Sequence, residues 1–408
     1  MYLTCCKLVT STTQIYVANK FSNSIFSVSS LFRCKQPRRQ WYCLKPRVSN
    51  FHTTQRMHSP TSVILSIASF ASGCYLRHWW LKQTPMKREE YLKWYKNKRF
   101  KIHGTLAVMS FVMIAYCSTF VKRDPVVNRP RLVLFNEEEQ ARNAQVFAKL
   151  IVHSRDNVVP FDDPMYSRIL DVMRNLGRSN ENLFKHSNWR ITIVKRMFDI
   201  TPNPTVMVLP DATIIAFSDI FKFVKNDDQL TFILAHEMAH QMLLHTTEVL
   251  SFKFLRIVML DIIVFLSFAF YSFWIAFVHS VLASVLSLSI FCWYKRRREI
   301  EADKIGFELC ARSCIDLREV FVFLEILKKY KDLIFKDALF DVSLFSIHPP
   351  LEDRLKRMYD DLPKLLQLRN EANCPELPDM DPRDNLPRYL KELEDNLRTD
   401  RNSFGIQL

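Results

Sequence analysis

Long apolar stretches interrupt the chain at three places, two of them before anything that has the pattern of a soluble domain. Residues 104–121 contain no charged side chain, and these eighteen residues are about the minimum for a helix that spans a bilayer. Residues 61–76 are apolar over only sixteen positions, a length that suits an interfacial or import-sorting segment as well as a span. The pattern therefore predicts a membrane anchor at 104–121.

The third apolar stretch, residues 254–294, lies in the later half of the chain. Its charged or readily charged side chains are Arg256, Asp261 and His279, and a basic run at 295–298 follows it. Two spans with a turn need slightly more than these forty-one residues, and no glycine or proline marks a turn. We expect a membrane-embedded hairpin here. A buried helical pair, or a pair that lies in the membrane interface, is the alternative.

Soluble periodicities occupy most of the chain from Asn136 onward. Apolar residues recur at helical spacing behind Asn136 and again over 164–176. Residues 189–196 alternate apolar and polar positions, and two short β-type runs, 205–209 and 213–217, flank a Pro-Asp dipeptide as a strand pair would. The pattern therefore predicts a mainly α fold with a small β-sheet, together with membrane-anchoring helices.

A further helix is predicted to begin near Asp227 and to run to about Glu248. It contains the sequence HEMAH, an HExxH motif. Residues four apart lie on one face of a helix, so His236 and His240 can bind one metal ion through their imidazole nitrogens. Glu237 can then reach water at that ion and act as a general base. Alone, the motif is also compatible with two structural histidines on a buried helix face.

A third protein ligand decides between subclasses of such sites. The metzincin pattern HExxHxxGxxH requires glycine and histidine where this chain has Leu243 and Thr246, so that class is excluded. Glu299 and Asp303 share a helix face in the later sequence EIEAD. Glu299 would complete a His₂Glu zinc site whose fourth position is left to water, and Asp303 would bind the free ring N–H of one ligand histidine.

Two neighbouring residues are less suited to bind the metal. His245 would point about 140° away from His240 on a continuing helix, so we interpret it as structural. Glu301 points elsewhere on its own helix and is the fallback ligand. The sequence therefore predicts one zinc ion per chain, bound by His236, His240 and Glu299.

The segment His348-Pro349-Pro350 precedes Arg354 at the predicted start of another helix. In acyl-transfer chemistry, a histidine or arginine near the metal can stabilise the oxyanion of the tetrahedral intermediate. We assign that catalytic role to His348 and count Arg354 with Asp303 among the residues that support the ligands. A capping role for His348 at a Pro-Pro helix start fits the sequence equally well.

The formal net charge of +15 is concentrated at the front of the chain. Thirteen of the 57 basic residues precede Glu89, the first acidic residue, which leaves 44 basic against 42 acidic residues behind them. An acid-free, Ser/Thr-rich cationic leader is typical of a mitochondrial transit peptide, which we assign to residues 1–57. A basic arm that binds RNA is the alternative. The nearly neutral remainder gives no reason to expect a nucleic-acid partner.

The spacing of glycines and cysteines excludes further kinds of site, and the charges that flank the predicted anchor indicate its orientation. The five glycines lie too far apart for a Walker A or GxGxxG loop, so no nucleotide partner is expected. The ten cysteines include no CxxC pair and therefore indicate neither a zinc knuckle nor a redox site. Seven basic residues over 87–101 face four over 122–131, which orients the anchor with its N-terminal flank in the matrix and the body in the intermembrane space.

The segments HEMAH, EIEAD and HPPLEDR, in that order, resemble the membrane gluzincins that include bacterial HtpX and the CAAX prenyl proteases. The chain is similar most of all to the mitochondrial inner-membrane members of that class, over about residues 132–383. The resemblance implies an α+β zincin-like metalloprotease domain at 132–369 that contains the apolar insertion 254–294. An anchor region at 58–131 would precede this domain, and a tail at 370–408 would follow it.

The resemblance also implies an ATP-independent zinc endopeptidase that cleaves proteins in or at the inner membrane during stress-linked quality control. A dynamin-like fusion GTPase is the expected client, membrane lipid is a further partner, and the sequence leaves a homo-oligomer open. One rival is a catalytically silent membrane adaptor, against which the intact Glu237 argues. Another is a prenyl-protein protease of the endoplasmic reticulum, whose relatives have more spans and no long acid-free leader.

Overall fold

The computed structural model describes residues 58–152, 157–181, 189–195, 206–335 and 350–403. The predicted transit peptide, residues 1–57, and the predicted catalytic His348 lie outside these residues. The described residues are mainly α-helical with small β-sheets, which confirms the predicted fold class.

The helices are α1 (His58–Lys82), α2 (Pro85–Ser118), α3 (Glu137–Val152), α4 (Pro164–Ser179), α5 (Ile220–Phe223), α6 (Asp227–Met242), α7 (His245–Phe270), α8 (Phe273–Arg312), α9 (Arg318–Phe335), α10 (Leu351–Glu371) and α11 (Leu386–Ser403), with a 3-10 helix at Pro382–Asn385. The strands are β1 (Val121–Arg123), β2 (Pro130–Leu132), β3 (Arg190–Val194), β4 (Val206–Val208) and β5 (Thr213–Phe217).

Helix α2 contains most of the predicted anchor. Thr84 caps its N-terminus by accepting a hydrogen bond from the backbone N–H of Lys87 at 3.4 Å, and Pro85 takes the first helical position. The helix ends at Ser118, three residues before the predicted end at 121, because the chain turns there and enters β1. Among the described residues, α2 and α8 are the two helices long and apolar enough to cross a membrane by length and composition.

The predicted hairpin at 254–294 is formed by the later part of α7 and the first part of α8, with the turn at Tyr271 and Ser272. The two helices are antiparallel: the rings of Phe252 and Tyr294 stack at 4.2 Å, and Ser267 contacts His279 at 2.7 Å. Its insertion into a membrane stays a prediction.

Helix α1 packs against α7 and extends the predicted segment 61–76 in both directions. A Cβ atom at Gly73 would stand 2.6 Å from the carbonyl oxygen of Phe265, so glycine is required for the two helices to approach this closely. Ser66 also donates a hydrogen bond to Asp261 at 2.6 Å. The short apolar segment therefore belongs to a helix that is tied to the hairpin.

The three-stranded sheet has the order β3-β5-β4. Strand β5 lies in the centre, parallel to β3 and antiparallel to β4, with Ile215 opposite Met207. The predicted strand pair at 205–209 and 213–217 is therefore present as β4 and β5. Among the strands of the described residues, β4 lies at an edge of the sheet and pairs with β5 on one side.

Helix α6 runs through the centre of the main hydrophobic core, where it packs against β4, α4, α8 and α9. Its N-terminus is capped by the side chain of Asn226, which accepts a hydrogen bond from the N–H of Gln229 at 3.0 Å. Leu230, Leu234 and Met238 are almost completely buried. A helix surrounded on all sides in this way holds its polar side chains in fixed positions.

The prediction that this helix continues to Glu248 is wrong. Helix α6 ends at Met242, Leu244 adopts a left-handed conformation with φ of 57°, and α7 begins at His245. A left-handed non-glycine residue costs roughly 1–2 kcal/mol and ends an α-helix, so the chain changes direction here. The break determines where the side chain of His245 points.

The predicted tail at 370–408 includes a packed helix, α11. Leu393 and Leu397 of α11 lie in one buried cluster with Val322 and Ile326 of α9. A disulfide bond between Cys314 and Cys374 joins the chain after α8 to the chain after α10 across a sequence separation of 60 residues. No feature of the cysteine spacing predicted this pair.

Candidate metal centre

Three potential metal ligands from two helices converge in the core. The Nε2 atoms of His236 and His240 lie 3.2 Å apart on consecutive turns of α6. Glu299 of α8 places Oε1 at 3.4 Å from Nε2 of His240 and Oε2 at 3.7 Å from Nε2 of His236. These are the three residues that the sequence predicts as ligands, and they form a group that could hold a metal ion.

The spacing of the three donor atoms fits a small tetrahedral cation. An ion with ligand distances of about 2.0–2.2 Å and tetrahedral angles holds its donors roughly 3.3 Å apart. The two Nε2 atoms lie 3.2 Å apart, and each lies 3.4 or 3.7 Å from a different oxygen of the Glu299 carboxylate, so the separations between the three donor groups are close to that value. The donor set of two imidazoles and one carboxylate is also the set that zinc hydrolases use.

The position of His236 is supported by a buried ion pair. Its Nδ1 atom lies 3.0 Å from Oδ1 of Asp303, and Arg354 donates two hydrogen bonds to that carboxylate, at 2.7 and 2.6 Å. Burial alone would lower the pKa of His236, but the carboxylates of Asp303 and Glu299 raise it to about 10. These surroundings favour positive charge at the centre of the site.

The position of His240 is supported by a different group, which the sequence analysis missed. Its Nδ1 atom lies 3.2 Å from Nδ1 of His245, and Nε2 of His245 lies 3.1 Å from Oε2 of Glu301. The expectation that His245 points away from His240 is therefore wrong, because the helix breaks at Leu244 and turns His245 back. Burial lowers the pKa of His245, and the charges of His240 and Arg131 lower it further.

Glu301, considered as a fallback ligand, is engaged elsewhere. Its carboxylate accepts hydrogen bonds from Arg131 at 2.8 Å and from Arg298 at 3.2 Å, and it forms an ion pair with Arg129. It lies outside the group of three donors that His236 and His240 form with Glu299.

Glu237 connects α6 to the sheet. It follows His236 directly on α6, and its Oε2 accepts a hydrogen bond from the backbone N–H of Val208 on β4 at 3.0 Å. Burial raises the pKa of Glu237 to about 7, against the opposing charge of His236. A carboxylate with a pKa near neutrality can both accept and release a proton at physiological pH.

Comparison with known proteins places these residues in a peptidase domain. Residues 165–360 match the family described as Peptidase family M48. The match includes the HExxH helix, Glu299, Asp303 and Arg354.

Several relatives are similar over most of the chain. The protein is 26% identical over 357 residues to "Metalloendopeptidase OMA1, mitochondrial" of Danio rerio, which covers 83% of this chain and 72% of the relative. It is 26% identical over 366 residues to the protein of the same name of Homo sapiens, over 82% of this chain and 65% of the relative. It is 24% identical over 264 residues to "Mitochondrial metalloendopeptidase OMA1" of Saccharomyces cerevisiae, over 63% of this chain and 73% of the relative.

Proposed function

We propose a metal, a reaction and a location for this metalloendopeptidase, which matches Peptidase family M48 over residues 165–360. The protein is a zinc-dependent endopeptidase of the mitochondrial inner membrane that hydrolyses peptide bonds of proteins in or at that membrane. The observation that carries the proposal is the convergence of His236, His240 and Glu299 beside Glu237.

Zinc is the cation that best suits this donor set. Two imidazoles and one carboxylate are borderline and hard ligands, and three protein donors leave a tetrahedral ion one position for water. When bound, zinc supplies Lewis acidity, which lowers the pKa of water towards about 7 and polarises a carbonyl group. Asp303 and His245 contribute by holding the two rings so that both Nε2 atoms face the same point.

Glu237 performs the proton transfers. Its carboxylate takes a proton from the attacking water and returns it to the nitrogen of the leaving amine. Its pKa of about 7, raised by burial, matches both tasks. His348 remains the proposed hydrogen-bond donor to the oxyanion, which forms from the carbonyl oxygen in the tetrahedral intermediate.

The substrate is proposed to bind as an additional strand along β4. The sequence of residues 213–217 would also suit a substrate-binding strand, but β5 cannot take this role because β3 and β4 pair with it on both sides. The N–H of Val208 faces Glu237 and so points away from β5, towards the space where a substrate strand would lie. Recognition through main-chain hydrogen bonds gives affinity with little sequence selectivity, which suits a quality-control enzyme with several clients.

Four observations support an inner-membrane location with the catalytic domain in the intermembrane space. The leader at 1–57 has the composition of a transit peptide, and the similar proteins carry mitochondrial names. Helices α2 and α8 have the length and composition of spans. The Cys314–Cys374 disulfide favours a compartment that does not keep thiols reduced, and so argues against the matrix side. By resemblance, a dynamin-like fusion GTPase is the proposed client.

The experiment that tests the proposal uses the purified full-length protein in lipid nanodiscs and a panel of inner-membrane proteins as substrates. We expect cleavage that a chelator stops and added zinc restores, and that Glu237→Gln abolishes without loss of bound zinc. Cleavage that persists in chelator, or a fully active Glu237→Gln variant, would contradict it. Zinc binding without any cleavage would favour the adaptor instead.

A further inference from the structure

Beyond the ligands, a line of buried and partly buried polar side chains connects His240 to the β1–β2 hairpin that follows α2. We infer that His245, Glu301 and Arg131 form a positioning relay that fixes the ring of His240, so that the β1–β2 hairpin sets the metal affinity of the site. The inference rests on the proposed role of His240 as a ligand. It concerns residues that lie outside the HExxH motif and its third ligand.

First, the ring nitrogens of His240 and His245 match as hydrogen-bond donor and acceptor. If Nε2 of His240 binds a cation, its Nδ1 carries the proton and requires an acceptor. Nδ1 of His245 lies 3.2 Å away and is the acceptor. A neutral His245 that accepts at Nδ1 carries its own proton at Nε2, and that atom lies 3.1 Å from Oε2 of Glu301. Each hydrogen bond thus fixes the direction of the next.

The second step is the anchoring of the carboxylate at the end of this line. Oε2 of Glu301 accepts hydrogen bonds from Nη2 of Arg131 at 2.8 Å and from Nη1 of Arg298 at 3.2 Å, while Arg129 binds the other oxygen. Hydrogen bonds between ionised partners are stronger than neutral ones and hold the acceptor in one orientation. Glu301 therefore presents a fixed charged oxygen to His245.

The third step is the position of Arg131, which is only 1% exposed and is among the largest fully buried side chains. Besides Glu301, it donates hydrogen bonds to Asp124 and to Glu248, each at 3.2 Å. A buried ion pair is on average no more stabilising than apolar residues of the same volume. The charged side chain instead fixes orientation. Arg131 links the β1–β2 hairpin to α7 through Glu248 and to α8 through Glu301, and it holds Glu301 in place as the acceptor for His245.

The hairpin itself is the direct continuation of the anchor. Helix α2 ends at Ser118, β1 begins at Val121, and the N–H of Val133 donates to the carbonyl of Phe120 at 2.9 Å across the base of the hairpin. A shift of the anchor relative to the peptidase domain would therefore move Arg131 first and the ring of His240 through it. The relay gives the membrane junction a physical route to the metal site.

The test measures zinc affinity of the full-length protein in nanodiscs by competition with a chromophoric chelator. We expect Glu301→Gln, His245→Ala and Arg131→Leu each to weaken zinc binding by about 10- to 100-fold. His245→Gln, which restores an acceptor oxygen for His240, should recover part of this loss. Arg369→Leu is the matched control. Arg369 is also a buried arginine, but it lies near the end of α10 and donates a hydrogen bond to the carbonyl of Ile315. The zinc affinity of this variant should equal that of the wild type.

A circular-dichroism melt identifies any variant that fails to fold, and Glu301→Gln, which preserves size and shape, carries the test if Arg131→Leu does not fold. Folded Glu301→Gln and His245→Ala proteins with wild-type zinc affinity would overturn the relay. Equal losses in Arg369→Leu would also overturn it, since they would show a general effect of destabilisation. A wild-type protein that binds no zinc would instead refute the proposed function.

Discussion

Gly306 of α8 lies so close to His236 of α6 that a Cβ atom at position 306 would stand 2.9 Å from the Cα atom of the histidine. Glu299 precedes Gly306 by seven residues, or about two turns, and therefore lies on the same face of α8. The missing side chain lets α8 approach α6 closely, and this approach brings the carboxylate of Glu299 to the two imidazoles. The metal centre thus depends on helix packing as much as on its ligands.

Gly306→Ala should weaken zinc binding and lower stability. The added methyl group meets backbone atoms that cannot rotate away, and overpacking of this kind costs typically about 1–3 kcal/mol. Gly177→Ala is the control, since nothing lies within 4 Å of the added atom there. That variant should be neutral or stabilised by up to about 1 kcal/mol. Thermal unfolding with and without zinc distinguishes the two, and identical behaviour would show that α6 and α8 can move apart freely.

Asp303→Ala should reduce zinc affinity by about 10- to 100-fold, because it removes the carboxylate that lies 3.0 Å from Nδ1 of His236. It also leaves Arg354 buried without its partner, so a loss of stability is expected in addition. The double variant Asp303→Ala with Arg354→Leu should recover stability but not zinc affinity. Recovery of both in the double variant would mean that Asp303 acts only on packing.

Zinc uptake should release a proton at pH 8. The carboxylates of Asp303 and Glu299, acting against burial, raise the pKa of His236 to about 10, so its ring is protonated in the metal-free protein. Coordination requires the neutral ring, so apparent zinc affinity should rise with pH by up to about tenfold per unit in this range. Titration of zinc into weakly buffered protein with a pH indicator measures the release; uptake without a proton signal would contradict the charge state.

The raised pKa of His236 also determines how the stability of the metal-free protein changes with pH. A group whose pKa is raised on folding stabilises the fold fully below its unfolded value, near 6.5, and loses that contribution as the pH rises through about 10. Chelator-stripped protein should therefore become less stable between pH 6.5 and pH 10, and the stabilisation gained from added zinc should grow over the same interval. Melting curves across this range check the direction.

Val208→Pro should impair cleavage while leaving the sheet intact. The N–H of Val208 donates to Glu237 instead of β5, so its loss removes no bond of the β4–β5 ladder but blocks addition of a substrate strand. We expect kcat/KM to fall by at least about tenfold, because the variant lacks both the hydrogen bond from this N–H to Glu237 and a donor for the substrate strand. Val208→Ala, which keeps the N–H, is the control. A Val208→Pro enzyme with wild-type kcat/KM would exclude β4 as the binding edge.

The sequence predicts the donor group because its residues occur at short spacings that determine which side chains share a helix face. Two histidines four apart must share a helix face, and the Glu299-to-Asp303 spacing repeats that geometry on a second helix. The strands β4 and β5 also follow directly from alternation around Pro210. The two helix faces and the β4–β5 pair each depend on residues that are close together in the sequence, so a local pattern is enough to predict them.

The relay partners of His240 could not be predicted in the same way. No glycine or proline marks the helix break at Leu244, so the orientation of His245 had no local signal. Arg131 lies 117 residues from Glu248 and 170 from Glu301, and the disulfide joins cysteines 60 residues apart. Such contacts depend on how whole elements pack, and only the tertiary structure reveals them.

Zinc-edge X-ray absorption on the purified full-length protein, together with metal analysis, shows directly whether His236, His240 and Glu299 bind one zinc ion. We expect one zinc per chain, with two imidazole nitrogens and oxygen donors at about 2.0–2.2 Å and no sulfur. The Glu237→Gln variant should give the same spectrum, whereas His240→Ala should lose one imidazole. Zinc bound by thiolate, or far less than one zinc per chain, would contradict convergence of His236, His240 and Glu299 on a single cation.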